Sequence, residues 1–213
     1  MRTVLCFFFL ASVAISNAGP AAQTSAVDSR AAVPSDHGER FELPGVPNGG
    51  KISDSLFRGA QPHAEGLLQL KNLGVTTIVD LRGDDRNKVE WERRQSKALG
   101  MRFVNIPVGG WQSPSNEQVA QFLALFRDHP QERVFVHCRF GRDRTGVFVA
   151  AYRMAIEGWQ AQQAMNEMYF FGFNGLWHPA MKSYVRDFPA LLKTSPALSE
   201  LRRPEQTQAK RNN

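Results

Sequence analysis

Short β-rich runs along the chain alternate with stretches whose apolar positions recur near every 3.6 residues, and the switches mark out elements. Strand-like runs rich in β-branched and aromatic residues stand at 51–58, 76–81, 102–108 and 133–137. A turn at Gly59-Ala60-Gln61-Pro62 ends the first of them. Between the strands the spacing becomes helical. Leu67, Leu68, Leu70 and Leu73 suggest a helix closed by Gly74, and 87–99 reads as a polar helix ended by Gly100. Ser115 with Gln118 three residues on is a capping box, after which Val119, Phe122, Leu123 and Phe126 form an amphipathic stripe. The segment 144–156 is apolar nearly all round, as a buried central helix would be, and further helices are expected near 161–169 and 179–193. Alternation of strand and helix predicts an α/β fold with a mostly parallel sheet.

The two ends read differently. Arg2, an apolar run over 4–15 and the small-x-Ala triplet Ser16-Asn17-Ala18 predict a secretory signal over 1–18, hence export to a periplasmic or extracellular space. The apolar run is too short for a stable membrane span. Residues 19–40, rich in Ala, Ser and Pro, read as a flexible linker, and the basic stretch 194–213 as a disordered tail. The folded domain is thus expected over 41–193, without internal repeats.

Composition narrows the class. With 42% hydrophobic and 22% charged residues the chain is an ordinary globular one, not collagen-like, disordered or multi-spanning. It has two cysteines, Cys6 and Cys138, too few for a disulfide scaffold. Loss of the signal would remove Cys6 and leave Cys138 unable to pair internally, so Cys138 is either a buried apolar filler or a reactive thiol. A net charge of +6 favours anionic partners: nucleic acid, a membrane surface or phosphorylated substrates.

The surroundings of Cys138 choose the reactive thiol. Between the last apolar strand and the buried helix runs His137-Cys138-Arg139-Phe140-Gly141-Arg142-Asp143-Arg144-Thr145-Gly146. A helix N-terminus offers unpaired N–H groups and a positive dipole end, and Gly141 lets the loop curl with its amides inward, as a phosphate requires. Arg139, Phe140, Gly141, Arg142, Thr145 and Gly146 are the expected phosphate-binding positions. A thiolate can attack phosphorus and hold the phosphoryl group covalently. The helix end and the cations of Arg139, Arg142 and Arg144 would lower the thiol pKa. Arg144 can clamp two phosphoryl oxygens through its planar fork. The Thr145 hydroxyl can support the departing thiolate, and His137 is expected to orient the loop.

At these residues the chain resembles the cysteine-dependent protein tyrosine and dual-specificity phosphatase superfamily, whose signature is Cys138, five residues and Arg144. The resemblance implies a nucleophile at Cys138, a phosphate clamp at Arg144, a small twisted sheet flanked by helices, and neither metal nor cofactor. The segments Phe57-Arg58-Gly59-Ala60-Gln61-Pro62 and Ile78-Val79-Asp80-Leu81-Arg82 are similar to those of compact, atypical dual-specificity members. Arg58 and Arg82 there suit either a buried bridge or a substrate contact.

One feature departs from the pattern. The family supplies a general acid, an Asp on a separate loop before the cysteine, whereas Pro107-Val108-Gly109-Gly110-Trp111-Gln112-Ser113-Pro114 has no carboxylate. Protonating the leaving oxygen contributes roughly 10²–10⁴ in rate, so a substitute is expected. Asp143, inside the loop, is the first candidate, with Asp84 and Asp85 behind it; Glu117 reads as a first-turn helix residue. Basic residues at Arg139 and Arg142 are similar to the inositol-phosphate branch of the superfamily. The expected substrate is therefore a phosphorylated protein or a phosphorylated inositol, acted on by a monomer. A phosphate-binding pseudoenzyme and a rhodanese-like sulfurtransferase are the competing readings; the latter would not need Arg144-Thr145-Gly146. Nucleic acid is not the expected partner, because the basic residues gather at the motif and the tail.

Overall fold

In a computed structural model of the protein, residues 37–199 and 201 are described. The predicted signal at 1–18, most of the linker and most of the basic tail lie outside them. Thirteen elements follow in chain order: β1 (Glu39–Arg40), β2 (Gly50–Lys51), β3 (Leu56–Ala60), α1 (Ala64–Asn72), β4 (Thr77–Arg82), α2 (Arg86–Ala98), β5 (Arg102–Val108), α3 (Asn116–Asp128), β6 (Val134–Cys138), α4 (Asp143–Ala155), α5 (Ala161–Phe170), α6 (Pro179–Thr194) and α7 (Pro196–Ser199).

The sheet has the order β1-β2-β3-β6-β4-β5. The four strands β3, β6, β4 and β5 run parallel, and β1 and β2 add an antiparallel edge. The α/β class and the mostly parallel sheet are as the alternation predicts. Both neighbours of β6 are parallel to it, so β6 is buried along its length and reads as an unbroken apolar run. Its carboxyl end delivers Cys138 beside Ala60 of β3. On one face of the sheet α3, α4, α5 and α6 build the larger core around Phe122, Phe148 and Phe188; on the other, α1 and α2 cover Phe57, Ile78 and Phe135. Helix α4 is buried from Arg144 to Ala155, which accounts for its lack of a polar face. No helix among the described residues is long and apolar enough to cross a membrane.

Three expectations are corrected. The run at 51–58 is not one strand. Ser53 Oγ accepts from Ser55 N and Leu56 N, and Ile52 N donates to Leu56 O at 2.9 Å, so the polar triplet Ser53-Asp54-Ser55 folds into a hairpin turn between β2 and β3. The expected turn at 59–62 starts later, because Gly59 and Ala60 stay in β3 and pair with His137 and Cys138. The domain is also wider than 41–193. Glu39 and Arg40 already pair with β2, and beyond 194 the short α7 buries Leu198 while Leu201 closes over the same core. Two leucines in a basic stretch are a weak signal, and their cover comes from the larger core, where α7 meets α3 and α6.

The capping box is present in full. Ser115 Oγ accepts from Gln118 N at 3.2 Å, and Gln118 Oε1 accepts from Ser115 N at 2.8 Å. Gln118 Nε2 also donates to Pro107 O at 2.7 Å, which ties the start of α3 to the end of β5.

Candidate active site

The segment 138–144 leaves β6 and curls into the N-terminus of α4. Gly141 sits at φ 64, and a Cβ there would lie 2.3 Å from the carbonyl carbon of Gly59. No other residue fits, for steric and conformational reasons together. Gly141→Ala should therefore cost about 2 kcal/mol or more and lower the melting temperature by at least about 4 °C. A thermal scan checks this, and an unchanged Tm would mean that β3 can yield at Gly59.

Two side chains from far along the chain hold the outer edge of this loop. Arg58, fully buried on β3, donates to Gly141 O and lies over the Phe171 ring, 4.1 Å from its centroid. Burial lowers its pKa to about 10, still high enough to keep the cation at neutral pH. Asn48, at φ 51, sends its amide to Gly141 O (2.9 Å), Phe140 O (3.3 Å) and Phe171 O (3.1 Å). With these carbonyls engaged from outside, the loop is held in its curled form. Arg58 is thus a loop support, not a substrate contact.

Cys138 is 3% exposed. Burial pushes its pKa up, but the Thr145 hydroxyl, the Arg144 charge and the Thr145 and Phe140 N–H groups outweigh burial and bring it below the usual thiol value. The buried Thr145 hydroxyl has no nitrogen or oxygen partner and is left to the sulfur. Arg144 is anchored by one nitrogen: Nη1 donates to Val108 O (3.2 Å), Asp84 Oδ1 (3.4 Å) and Leu81 O (3.5 Å). Among the described residues no protein group takes its Nη2 or Nε, so the rest of the fork is open to an oxyanion.

Cys138, Asp143 and Arg144 share a cavity of about 640 Å³ with Trp111, Trp177 and His178. The exposed Trp111 stacks on His178 (centroids 5.0 Å apart) and on Trp177 (6.4 Å), giving the mouth an aromatic wall. Asp143 Oδ1 accepts from Asn174 N at 3.2 Å, and its Oδ2 lies 3.5 Å from His178 Nε2. Of the sequence candidates for an acid, Asp143 and Asp84 line this cavity. Burial raises the Asp84 pKa, but Arg82 and Arg144 outweigh it and hold it below the usual carboxylate range, which suits a partner for Arg144 better than a proton donor. Asp85 caps α2, accepting from Lys88 N at 3.1 Å, and Glu117 lies in the first turn of α3. Arg82 is tied to Gln61, Asp84 and Asp85 and does not line the cavity.

Arg139, Phe140 and Arg142 stand exposed on the rim, and among the described residues neither arginine meets a carboxylate. All three also line a neighbouring cavity of about 720 Å³ with Lys88, Trp91 and His63. Gly146 packs in α4 against Met168, so its place is structural.

His137 is fully buried, with Nε2 2.8 Å from Glu92 Oε1 and Nδ1 3.9 Å from Asp80 Oδ1. Burial lowers its pKa, but the two carboxylates outweigh it and lift it to about 9. These three residues form the one group among those described whose ligand-type atoms lie within 4.8 Å of one another. His137 Nε2 and Glu92 Oε1 thus stand at ion-pair distance in the closed interior, although neither atom makes a hydrogen bond of good geometry.

Several contributors were not anticipated. Asn48 precedes two glycines, and asparagine tolerates a left-handed backbone, so a turn there was readable but its reach was not. Glu92 falls on the buried stripe Val89, Glu92, Ser96 of α2, where a carboxylate is out of place unless it has a partner. His178, Trp177 and Asn174 carry no local signal.

A family model described as DSP-PTPase phosphatase fused to NAD+ kinase matches residues 48–183. The dual specificity protein phosphatase TpbA of Pseudomonas aeruginosa is 31% identical over 123 residues, 58% of this chain and 54% of that protein. The chain thus spans about half the length of the curated relatives it matches. A crystal structure of P. aeruginosa TpbA in complex with pTyr superimposes with a TM-score of 0.61 at 25% identity, covering 80% of this chain and 96% of that one. The catalytic core of the PP-IP phosphatase SIW14 from S. cerevisiae has the same fold, with a TM-score of 0.59 at 14% identity over 74% of this chain and 98% of that one.

Proposed function

Since the chain belongs to the DSP-PTPase phosphatase family, we propose that it hydrolyses phosphoric monoesters of the tyrosine and dual-specificity type through a cysteinyl-phosphate. The observation that carries this reading is a recessed thiol, held below its usual pKa, in one cavity with an arginine whose fork is half unoccupied.

The chemistry follows from the placement. The phosphate enters the loop with its oxygens on the inward N–H groups and on the open side of Arg144. Cys138 Sγ attacks phosphorus; the S–P bond forms as the ester P–O bond breaks, and Asp143 gives its proton to the departing oxygen. Water then attacks the cysteinyl-phosphate, Asp143 takes the proton back, and the thiolate leaves with the Thr145 hydroxyl supporting its charge. The Asn174 N–H holds one oxygen of Asp143, and His178 stands beside the other.

Asp143→Asn should lower kcat about 10²-fold on an alkyl phosphate and far less on 4-nitrophenyl phosphate, whose leaving group needs no proton. Asp84→Asn should raise KM instead, by loosening Arg144. Equal losses of Asp143→Asn on both substrates would remove it from the acid role.

The substrate proposed is a phosphorylated protein side chain, in keeping with the pTyr that TpbA holds and the aromatic wall of Trp111 and Trp177. A second reading, a phosphorylated inositol, is favoured by Arg139 and Arg142, which bridge two cavities without acidic partners. Phosphate release from phosphotyrosine peptides, phosphoserine peptides, phosphoinositides and soluble inositol phosphates separates the two. Export after cleavage at Ala18, action as a monomer and independence from metal complete the proposal. N-terminal sequencing of the mature protein, its mass in solution and activity in EDTA test them in turn.

A further inference from the structure

A continuous set of polar contacts runs outside the catalytic loop and joins its two ends. At the nucleophile's end, His137 Nε2 meets Glu92 Oε1 at 2.8 Å. The other oxygen of Glu92 accepts from Gln61 Nε2 at 3.1 Å, and Gln61 Oε1 accepts from Arg82. Arg82 Nε donates to Asp84 Oδ1 at 3.3 Å, and the same oxygen accepts from Arg144 Nη1 at 3.4 Å. Glu92 is the keystone. It is a fully buried carboxylate on an otherwise polar helix, and no apolar packing accounts for it. A buried charge of this kind costs several kcal/mol unless it is paired, so its partners define what it is for.

We infer that Glu92 is a positioning residue for catalysis: it holds the His137 imidazole behind Cys138 and, through Gln61 and Arg82, sets the place of Asp84 and hence of Arg144. The inference rests on the phosphatase reading for its consequence, though not for its geometry. The groups facing His137 are Glu92 from α2, Asp80 from β4 and its neighbour Cys138; those facing Cys138 are Arg144 and Thr145 from α4, Arg58 from β3 and His137. Burial holds the Asp80 carboxyl above its usual range, and of the two carboxylates that raise the His137 pKa Glu92 is the larger influence and Asp80 the smaller. Removing the Glu92 charge weakens the cation behind the thiolate and raises the thiol pKa.

The test uses the full chain and two readouts: the pH profile of Cys138 alkylation by iodoacetamide, which needs no phosphatase activity, and the inhibition constant for inorganic phosphate. Glu92→Gln should move the alkylation midpoint up by about one pH unit. Gln61→Ala, which cuts the path beyond Glu92, should move that midpoint less than Glu92→Gln does and weaken phosphate binding several-fold. A folded Glu92→Gln protein with the wild-type midpoint overturns the inference, as does a Gln61→Ala protein with unchanged phosphate affinity. Should Glu92→Gln fail to fold, Glu92→Asp decides: an intermediate midpoint supports the inference and the wild-type midpoint overturns it. If the wild-type protein releases no phosphate from any ester yet the midpoints move as stated, the functional reading fails and this one stands.

Discussion

Cys138→Ser leaves a folded protein that releases no measurable phosphate, a loss on the order of 10⁴-fold or more. The surroundings that lower the thiol below its usual value, namely the Thr145 hydroxyl, Arg144 and two N–H groups, act on a group that starts only slightly above neutrality. A serine hydroxyl starts far higher, and the same field leaves it protonated and inert. Sulfur and oxygen occupy similar space, so the melting temperature should move by no more than a few degrees. The wild-type thiol gives the matching pH signature. Because its folded pKa is depressed, alkylation stays fast below the ordinary thiol range near 8.5 and falls only as pH drops through the lowered value. Phosphate release by the serine variant comparable with wild type would exclude Cys138 as nucleophile.

Arg144→Lys should lower kcat/KM about 10²–10³-fold while leaving the thiol midpoint near that of wild type. The substitution keeps the positive charge that favours the thiolate but loses the fork. In the native protein Nη1 is spent on Val108 O, Asp84 and Leu81 O, and the remaining nitrogens face a ligand. A lysine has one nitrogen for both tasks and must give up either its anchor or the phosphate. Steady-state kinetics with an aryl phosphate, beside the alkylation profile, separates charge from shape. A lysine variant within a few-fold of wild type would mean that charge alone suffices.

The catalytic segment was legible because its chemistry is written in consecutive residues: strand, nucleophile, glycine, arginine, helix. The parallel order of strands was legible for a similar reason, since each apolar run is followed by a helical period. What stayed hidden has a common cause. Asn48, Arg58 and Glu92 act through contacts made only after the chain has crossed over, and nothing adjacent to them names the partner. The turn at 53–55 was lost because Ile52, Leu56 and Phe57 on either side of it suggested one continuous strand. The closing leucines, Leu198 and Leu201, were masked by their basic neighbours. Asp143 was readable as an acid candidate from its place inside the loop; its pairing with His178 and Asn174 depends on how the segment between α5 and α6 returns to the loop.

The distances along the chain from Asn48 to what it holds are long: 92 and 93 residues to Phe140 and Gly141, and 123 to Phe171. Arg58 reaches across 83. A loop of that length yields nothing until its far partner arrives, so each of these contacts exists only once the distant segments have docked. A reactive thiolate in a nascent or half-folded chain would be exposed to oxidation and mispairing. Here the acidity of the sulfur depends on a curl that Asn48 and Arg58 impose from outside, so the thiol stays near its ordinary, sluggish state until the domain has closed.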